Sequence, residues 1–210
     1  MKKILALLCC LLLTSCFEIT ERIKHHDDQS GEYTLIIDFS RSWFKTKSAI
    51  WLEEVDGVKI PNEQEITAKL SDFKEKALKI NGISNVSTKT DFDNYVFIIK
   101  LNYANLKALN AVVNTINNQR DQIHFSGSGK NFERIASYPV PEKVVNDPKK
   151  KKDLEDASII AIYSFDKDIM STNNPNSKIS ANKKTVFLKQ SMYSVLKKST
   201  LMNNTIQLTP

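Results

Sequence analysis

Apolar and polar residues alternate in two runs near the start of the chain, on either side of a polar segment at 27–31. The alternating apolar positions are Phe17, Ile19 and Ile23 in the first run and Tyr33, Leu35, Ile37 and Phe39 in the second. Side chains with a period of two lie on one face of a β-strand, and a polar loop ending in glycine joins two strands as a hairpin. Residues 17–39 are therefore predicted to form a β-hairpin.

A period of three to four residues predicts two helices further on. In the first, Asn62 and Glu65 have the spacing of a capping box, and Asn81-Gly82 supplies a left-handed stop. Its apolar face comprises Ile66, Leu70, Phe73 and Ala77, and that of the second comprises Leu106, Leu109, Val112, Val113 and Ile116. Residues 41–55 are expected to form another helix.

The segments between these helices predict strands. Residues 83–90 and 95–101 flank a turn, and the second run is apolar on both faces, which is typical of a central strand. Weaker strands are expected at 123–125 and 132–138. The order strand, helices, strand, strand, helix, strand matches the split βαβ arrangement. The predicted fold class is α+β: an antiparallel sheet with helices on one face, a ferredoxin-like core, and a β-rich C-terminal extension.

The composition changes after residue 138. Three prolines and the run Lys149-Lys150-Lys151-Lys152 predict a loop or linker over 139–157. Strands are then expected at 159–163, 185–188 and 205–208, with a short helix at 192–196. The predicted organisation is a signal peptide at 1–15, an α+β domain at 16–138, the linker, and a β-rich extension at 158–210 that packs on the first domain.

The first sixteen residues form an export signal. Lys2-Lys3 precede an apolar run that ends in Leu13-Thr14-Ser15-Cys16. This ending resembles the lipobox of bacterial lipoproteins, which are cut by signal peptidase II. The resemblance implies that the chain is cut before Cys16 and that the Cys16 thiol carries a diacylglycerol, often with an added palmitate. The alternative is an ordinary secretory signal in which Cys16 happens to follow Ser15.

Composition restricts the partners of the exported chain. The net charge of +6 falls to +4 without Lys2 and Lys3, which argues against nucleic acid as a partner. Cys9 and Cys10 lie within the signal, so no disulfide framework is expected. No later apolar run is long enough to span a bilayer. The sequence predicts a protein of the cell envelope that its lipid anchors to a membrane. If the cell is Gram-negative, Phe17 after the cysteine favours the outer membrane by the sorting pattern of lipoproteins.

Several motifs that carry chemistry elsewhere do not qualify here. The glycines of Gly127-Ser128-Gly129-Lys130 lack the spacing of a phosphate loop, and a hairpin turn explains them. Residues 25–28 (His-His-Asp-Asp) have ligand atoms, but adjacent residues of a strand point to opposite faces. No metal site, cofactor or catalytic residue is therefore assigned, and the protein is predicted not to be an enzyme. A hydrolase with dispersed acidic residues is a less favoured alternative.

Two segments are candidates for contact with a membrane or a ligand. The first contains both tryptophans: Trp43, Phe44, Lys45, Lys47 and Trp51. Tryptophan beside lysine suits a bilayer interface or a protein hot spot, and the alternative is that the rings close one end of the core. The second is the run Lys149, Lys150, Lys151 and Lys152, which could meet anionic headgroups or form a solvated loop.

The exported part is similar to the mycobacterial LppM-type lipoproteins. The similar features are Cys16 opening a strand, Gly31-x-Tyr33 leading into Ile37-Asp38-Phe39, and Lys184-Thr185-Val186-Phe187 late in the chain. The resemblance implies an ectodomain with a lipid-binding groove. The predicted function is a lipid-anchored, non-enzymatic domain that binds a lipid, another hydrophobic ligand or a partner protein. A scaffolding lipoprotein of an envelope complex is the alternative.

Overall fold

The computed structural model describes residues 17–55, 58–138 and 145–210. The predicted signal peptide, Cys16 and residues 139–144 of the predicted linker lie outside the described residues. The strands are β1 (Glu18–His25), β2 (Gly31–Asp38), β3 (Glu54–Val55), β4 (Val58–Lys59), β5 (Ile83–Asp91), β6 (Val96–Tyr103), β7 (Phe125–Ser128), β8 (Asn131–Arg134), β9 (Ser158–Phe165), β10 (Ile169–Thr172), β11 (Lys178–Ile179), β12 (Thr185–Ser191) and β13 (Asn204–Leu208). The α-helices are α1 (Trp43–Leu52), α2 (Glu63–Leu78), α3 (Leu106–Asn117), α4 (Pro148–Asp156) and α5 (Met192–Lys197). Short 3₁₀ turns occupy Ser40–Ser42 and Ser199–Met202.

Seven strands form the main sheet, in the order β11-β12-β9-β1-β2-β6-β5. The predicted hairpin is confirmed, since β1 and β2 pair antiparallel with Ile23 opposite Tyr33. One pair is parallel: β1 lies beside β9. A second sheet has the order β10-β13-β8-β7. The molecule is therefore a mixed, mostly antiparallel α+β structure with a β-rich C-terminal part, which confirms the predicted fold class.

The split βαβ unit is present, but its fourth strand is not the predicted one. Strands β2, β6 and β5 lie side by side, with β6 antiparallel to both neighbours. The place on the other side of β2 is filled by β1. The weaker strands predicted at 123–125 and 132–138 instead form β7 and β8, which belong to the second sheet. Pairing β1 to β2 needs only a short turn, so the nearby strand takes the position first.

Local signals explain where α2 and α3 begin. Asn62 accepts from the Glu65 amide at 2.9 Å, and the Glu65 carboxylate accepts from the Asn62 amide at 3.1 Å, so the predicted capping box is confirmed. The Asn105 side chain caps α3 by accepting from the Ala108 amide. Both helices bury their apolar faces in one core with the inward side chains of the main sheet. Gly82, just past α2, has a φ of +87°.

Residues 148–156 form helix α4, so the prediction of a loop is wrong there. The Asp147 side chain accepts from the Lys149 amide at 2.9 Å, and Pro148 occupies the first helical turn, where a proline is well tolerated. Leu154 is buried in the main core. A cap, a proline start and one buried leucine therefore stabilise a helix that its four lysines alone would not predict.

The C-terminal residues complete both sheets. Strand β9 lies between β1 and β12 in the main sheet, and β13 lies between β10 and β8 in the second sheet. Both sheets contribute to a single hydrophobic core, which includes Phe132, Tyr163 and Ile206. Within the three described ranges, no helix combines the length and apolar character that a membrane span requires.

Candidate functional site

An apolar cavity lies between the inward face of the main sheet and the helices α3 and α5. Its volume is about 270 Å³, close to the lower end of the range of ligand pockets, roughly 300–1,000 Å³. Apolar side chains from both layers provide most of its lining: Ile19, Tyr33, Leu35, Ile37, Val113, Ile116, Tyr138, Ile159, Met192 and Leu196. Glu21, Arg134 and Asn117 add the polar groups.

A buried ion pair contributes to one wall of the cavity. Arg134 Nε donates to Glu21 Oε1 at 3.0 Å and Arg134 Nη2 donates to Glu21 Oε2 at 3.3 Å, which is a bidentate arrangement. Only 1% of Arg134 is exposed. Its guanidinium lies 4.7 Å from the ring centre of Phe125. The pair connects β1 to β8, and thus the main sheet to the second one.

The remaining donors of Arg134 are also used. Nη1 donates to the carbonyls of Ile135 at 2.8 Å and His124 at 3.3 Å, and Nη2 donates to Tyr138 Oη at 3.2 Å. Together with Glu21, these acceptors engage all five N–H groups of the guanidinium. Burial alone would lower the pKa of Arg134, but the Glu21 carboxylate raises it well above its ordinary value. The arginine is therefore charged at every physiological pH.

Tyrosine hydroxyls complete this polar cluster. Tyr163 Oη donates to Glu21 Oε1 at 2.5 Å. Burial, and secondarily the Glu21 carboxylate, raises the pKa of Tyr163 and of Tyr33 well above the usual tyrosine value. The pKa of Tyr138 is also raised by burial. These hydroxyls therefore stay protonated and carry no charge.

The cavity is therefore suited to an apolar ligand. Each buried methylene of a ligand gains about 0.8 kcal/mol, whereas water gains little in an apolar space. Because Glu21 already engages the Arg134 donors, an anionic headgroup has no unused guanidinium N–H to bind at that wall. A polar headgroup would have to stay near the opening.

Half-buried side chains indicate where the cavity opens. Ile19, Ile37, Ile116 and Leu196 are partly exposed, while Leu35 and Met192 are buried. Ile19 and Ile37 pair at the end of the sheet where β1 begins. Strands rise about 3.3 Å per residue, so Ile19 lies roughly 7 Å along β1 from Phe17. The opening is thus at the end of the domain that follows Cys16.

The aromatic candidates of the sequence lie on the surface in α1. Trp51 is 81% exposed, Phe44 66% and Trp43 39%. The alternative that these rings close the core is therefore wrong. Lys47 Nζ lies 4.9 Å from the centre of the Trp43 ring, and Lys45 Nζ lies 3.2 Å from Asp153 Oδ1 of α4. None of these five residues lines the apolar cavity.

The lysine run lies on α4, next to α1. Lys149, Lys151 and Lys152 are exposed, and Lys150 is half-buried. Lys151 forms an ion pair with Glu155 at 3.7 Å and stands 5.5 Å from the centre of the Tyr193 ring. The run therefore forms a helical surface rather than the loop that was considered from the sequence.

A second, polar cleft of about 300 Å³ lies at the same end of the sheet. Its carboxylates are Glu18, Asp38, Glu155 and Asp156, and its cations are Arg41 and Lys189. Glu18 Oε2 accepts from Lys189 Nζ at 3.2 Å, and Asp38 Oδ1 accepts from the Ser40 amide at 2.8 Å. Four carboxylates from distant parts of the sequence therefore line one cleft.

The adjacent histidines at the end of β1 lie in different surroundings. His25 Nδ1 is 2.9 Å from Tyr103 Oη in the core, and His26 Nδ1 is 2.9 Å from Asp166 Oδ2 at the surface. Burial lowers the pKa of His25 to about 4. Across the described ranges, no three His, Cys, Asp or Glu side chains converge so as to hold a metal ion.

Neither the cavity nor its buried ion pair was predicted from the sequence. One signal was available: Glu21 lies between Ile19 and Ile23 on the inward side of β1, and Arg134 follows Phe132 on the inward side of β8. A charge at an inward position of a strand needs a partner of opposite charge. The two residues are 113 positions apart, so the pattern alone could not pair them.

Comparisons with known proteins give one similar structure. No protein-family model matches the chain, and no curated protein sequence matches it significantly. Among solved structures, the folded domain of LppM from Mycobacterium tuberculosis, determined by NMR, is similar with a TM-score of 0.44 and 12% sequence identity. The match covers 93% of this chain and 90% of that chain. A similarity at this level assigns neither a ligand nor a location.

Proposed function

We propose that this chain is a lipid-anchored protein of the cell envelope whose α+β domain binds a hydrophobic ligand without catalysing a reaction. The cavity between the main sheet, α3 and α5 carries the proposal. It is lined mainly by apolar groups, its buried ion pair is already satisfied, and it opens at the end of the domain that follows Cys16. A lipid acyl chain fits this chemistry, with its headgroup left near the opening.

The ligand is tested by what the protein retains from cells. The mature chain, residues 16–210 with Cys16→Ser, is exported by a non-lipoprotein signal and purified without detergent. Extraction with organic solvent followed by mass spectrometry should release a lipid in near-stoichiometric amount. A protein that is consistently empty and takes up no lipid on incubation would contradict the ligand-binding proposal.

The anchor is tested separately. Cells that express the full chain should incorporate labelled palmitate or glycerol into it, and the protein should fractionate with membranes. The Cys16→Ser chain should lose the label, because the proposed site of attachment is that thiol. Absence of label in the unaltered chain would remove the anchor and leave the ligand-binding result standing.

A scaffolding lipoprotein would use either an exposed sheet edge that accepts a strand or the C-terminal extension, and the edge can be assessed directly. The long edge strand is β5, whose register shifts between Ser84 and Ser87 and which exposes Lys89. Bulges and lysines on an edge oppose strand addition. The edge therefore favours a ligand-binding function over a scaffold assembled through β-pairing.

The hydrolase alternative can be tested at the polar cleft. Glu18 and Asp38 approach each other there, but Lys189 and the Ser40 amide already engage them. An Asp38→Asn variant should leave ligand retention unchanged. The protein is assayed against a broad panel of ester and glycoside substrates. If it hydrolyses one of them and Asp38→Asn abolishes that activity, a hydrolase function would replace the non-enzymatic proposal.

A further inference from the structure

Three features that are separate in the sequence meet at one end of the main sheet. The Phe17 carbonyl accepts from the Ser158 amide at 3.0 Å. Ser158 lies two residues past the end of α4. The Phe17 ring lies 5.3 Å from the ring of Phe39, and α1 begins four residues after Phe39. The chain leading to Cys16, the helix α1 and the helix α4 therefore share this end.

Helix α1 presents an aromatic stripe. At 3.6 residues per turn, Trp43, Lys47, Trp51 and Phe44 fall within an arc of about 100°. In the described part of the chain, none of the ten residues of α1 is buried. A surface helix normally buries its apolar face, and an exposed apolar patch marks a site of interaction. The stripe carries a lysine at its centre, so the partner must accept both rings and positive charge.

Helix α4 adds positive charge at the same end of the sheet as α1. Lys149 and Lys152 are exposed and lie three positions apart, and such residues are neighbours on a helix surface. Lys45 pairs with Asp153 at 3.2 Å, so α4 lies next to α1. Lysines near an anionic membrane each increase partitioning roughly fivefold. The charge of α4 therefore attracts anionic headgroups to the end of the domain that carries α1.

We propose that α1 and α4 together form a docking surface for an anionic lipid bilayer. Tryptophan and phenylalanine occupy the headgroup–acyl boundary, and the lysines meet the phosphates. The inference rests on the anchor of the proposed function and is independent of the cavity's ligand. A chain tethered at Cys16 meets the bilayer at a high effective concentration, so a small surface suffices to fix its orientation. The docked domain then presents the cavity opening, at Ile19 and Ile37, to the membrane.

The two tryptophans make the test direct, because they are the only ones in the chain and both lie in the stripe. The lipidated protein is reconstituted in vesicles of phosphatidylcholine alone or mixed with phosphatidylglycerol. With phosphatidylglycerol, tryptophan emission should shift to the blue, and lipids brominated near the headgroup should quench it. Both changes should shrink in phosphatidylcholine alone and in high salt.

Matched lysine variants separate the docking surface from general attraction. Lys149→Gln with Lys152→Gln should weaken partitioning of the mature Cys16→Ser chain to phosphatidylglycerol vesicles about 25-fold. Lys79→Gln with Lys183→Gln removes the same charge at the opposite end of the sheet, where both lysines are exposed. This control pair should weaken partitioning to the vesicles much less. Phe44→Ser should reduce quenching by the brominated lipids, and it leaves both tryptophans in place as fluorescent reporters.

Three results would overturn the inference. The first is solvent-like, unquenched emission of the anchored protein on phosphatidylglycerol vesicles. The second is an equal effect of the two lysine pairs. The third is emission that becomes shielded without lipid as protein concentration rises, which would assign the stripe to a second copy of the chain. If Cys16 is unlabelled in cells but the Cys16→Ser chain still partitions to phosphatidylglycerol vesicles through Lys149 and Lys152, the anchor fails and the docking surface stands as a feature of the unanchored domain.

Discussion

The two ends of the main sheet use similar side chains in opposite ways. Where β1 ends, His25, Tyr103, Phe132 and Phe165 pack together and are buried. Where β1 begins, Trp51 and Phe44 of α1 face outward and the cavity opens between half-buried side chains. We call the first the closed end, because its aromatic rings are buried, and the second the open end, because the rings of α1 there are exposed.

This difference indicates where stability and function reside. Aromatic rings buried at the closed end stabilise the fold through close packing. Aromatic rings that are exposed at the open end do not contribute this stabilisation. An exposed apolar patch of this kind marks a site of interaction. Substitutions in the interior and at the closed end should therefore cost stability, and substitutions at the open end should cost binding.

The largest loss of stability is expected at the buried ion pair. Arg134→Met leaves the Glu21 carboxylate without its partner and should lower the free energy of unfolding by about 3–5 kcal/mol. Urea denaturation of the mature Cys16→Ser chain measures this. Lys76→Met is the matched control, because Lys76 pairs with Asp72 at 2.7 Å on the surface and should lose less than about 1 kcal/mol.

The double variant Glu21→Leu/Arg134→Met sharpens this result. It removes both charges, so most of the stability lost in Arg134→Met should return. If the double variant is less stable than Arg134→Met, the packing of the arginine rather than the unpaired charge explains the loss.

The second effect is a loss of stability in acid. Burial lowers the pKa of His25 and of His124 to about 4 in the folded protein, whereas unfolded histidine titrates near 6.5. Between these values the unfolded chain binds protons that the folded chain excludes, so stability falls as the pH falls. The full effect is about 3 kcal/mol per histidine.

Urea denaturation from pH 7 to 5 measures this slope above the range where carboxylates titrate. His25→Gln and His124→Gln should each reduce the slope, and the double variant should nearly abolish it. A wild-type protein equally stable at both pH values would contradict the burial of neutral histidines.

The third effect concerns the closed end. A methyl group on Gly31 would meet the Lys24 carbonyl and the Tyr103 ring, so Gly31→Ala should cost about 1–3 kcal/mol through overpacking. Gly129→Ala is the control, because nothing lies within 4 Å of the added atom. Equal stability of the two variants in thermal denaturation would show that the closed end is loosely packed.

The smallest effect on stability is expected at the open end. Trp51→Ser and Phe44→Ser remove exposed rings and should change the free energy of unfolding by no more than about 0.5 kcal/mol. Urea denaturation followed by circular dichroism measures this. A loss similar to that of Gly31→Ala would mean that the rings pack within the domain and would remove the contrast between the ends.

Local patterns predicted most elements of the fold. The alternation around 27–31 gave the β1–β2 hairpin, and Asn62 with Glu65 gave the start of α2. Helix α4 was not predicted, although Asp147 is a favourable N-cap residue and Pro148 follows it. These two residues were sufficient signals for a helix start.

Long-range pairing could not be predicted from the same patterns. The parallel neighbours β1 and β9 are separated by 140 positions, and Glu21 and Arg134 by 113. A strand's alternation shows which face is buried and does not show which strand lies beside it. The cavity depends on these contacts, so only the structure reveals it. The exposure of Trp43 and Trp51 is likewise a property of where α1 lies, since their residue types suit a core equally well.

The central claim is that the cavity opening between Ile19 and Ile37 admits a hydrophobic ligand. Ile37 and Ile36 are neighbours in β2, both half-buried, and they point to opposite faces of the sheet. The decisive measurement is the affinity of the mature Cys16→Ser chain for a fluorescent fatty acid. Ile37→Trp should fill the opening and weaken binding by roughly tenfold or more, while Ile36→Trp should bind like the unaltered chain. Equal affinities of both variants, or no binding by the unaltered chain, would contradict the claim.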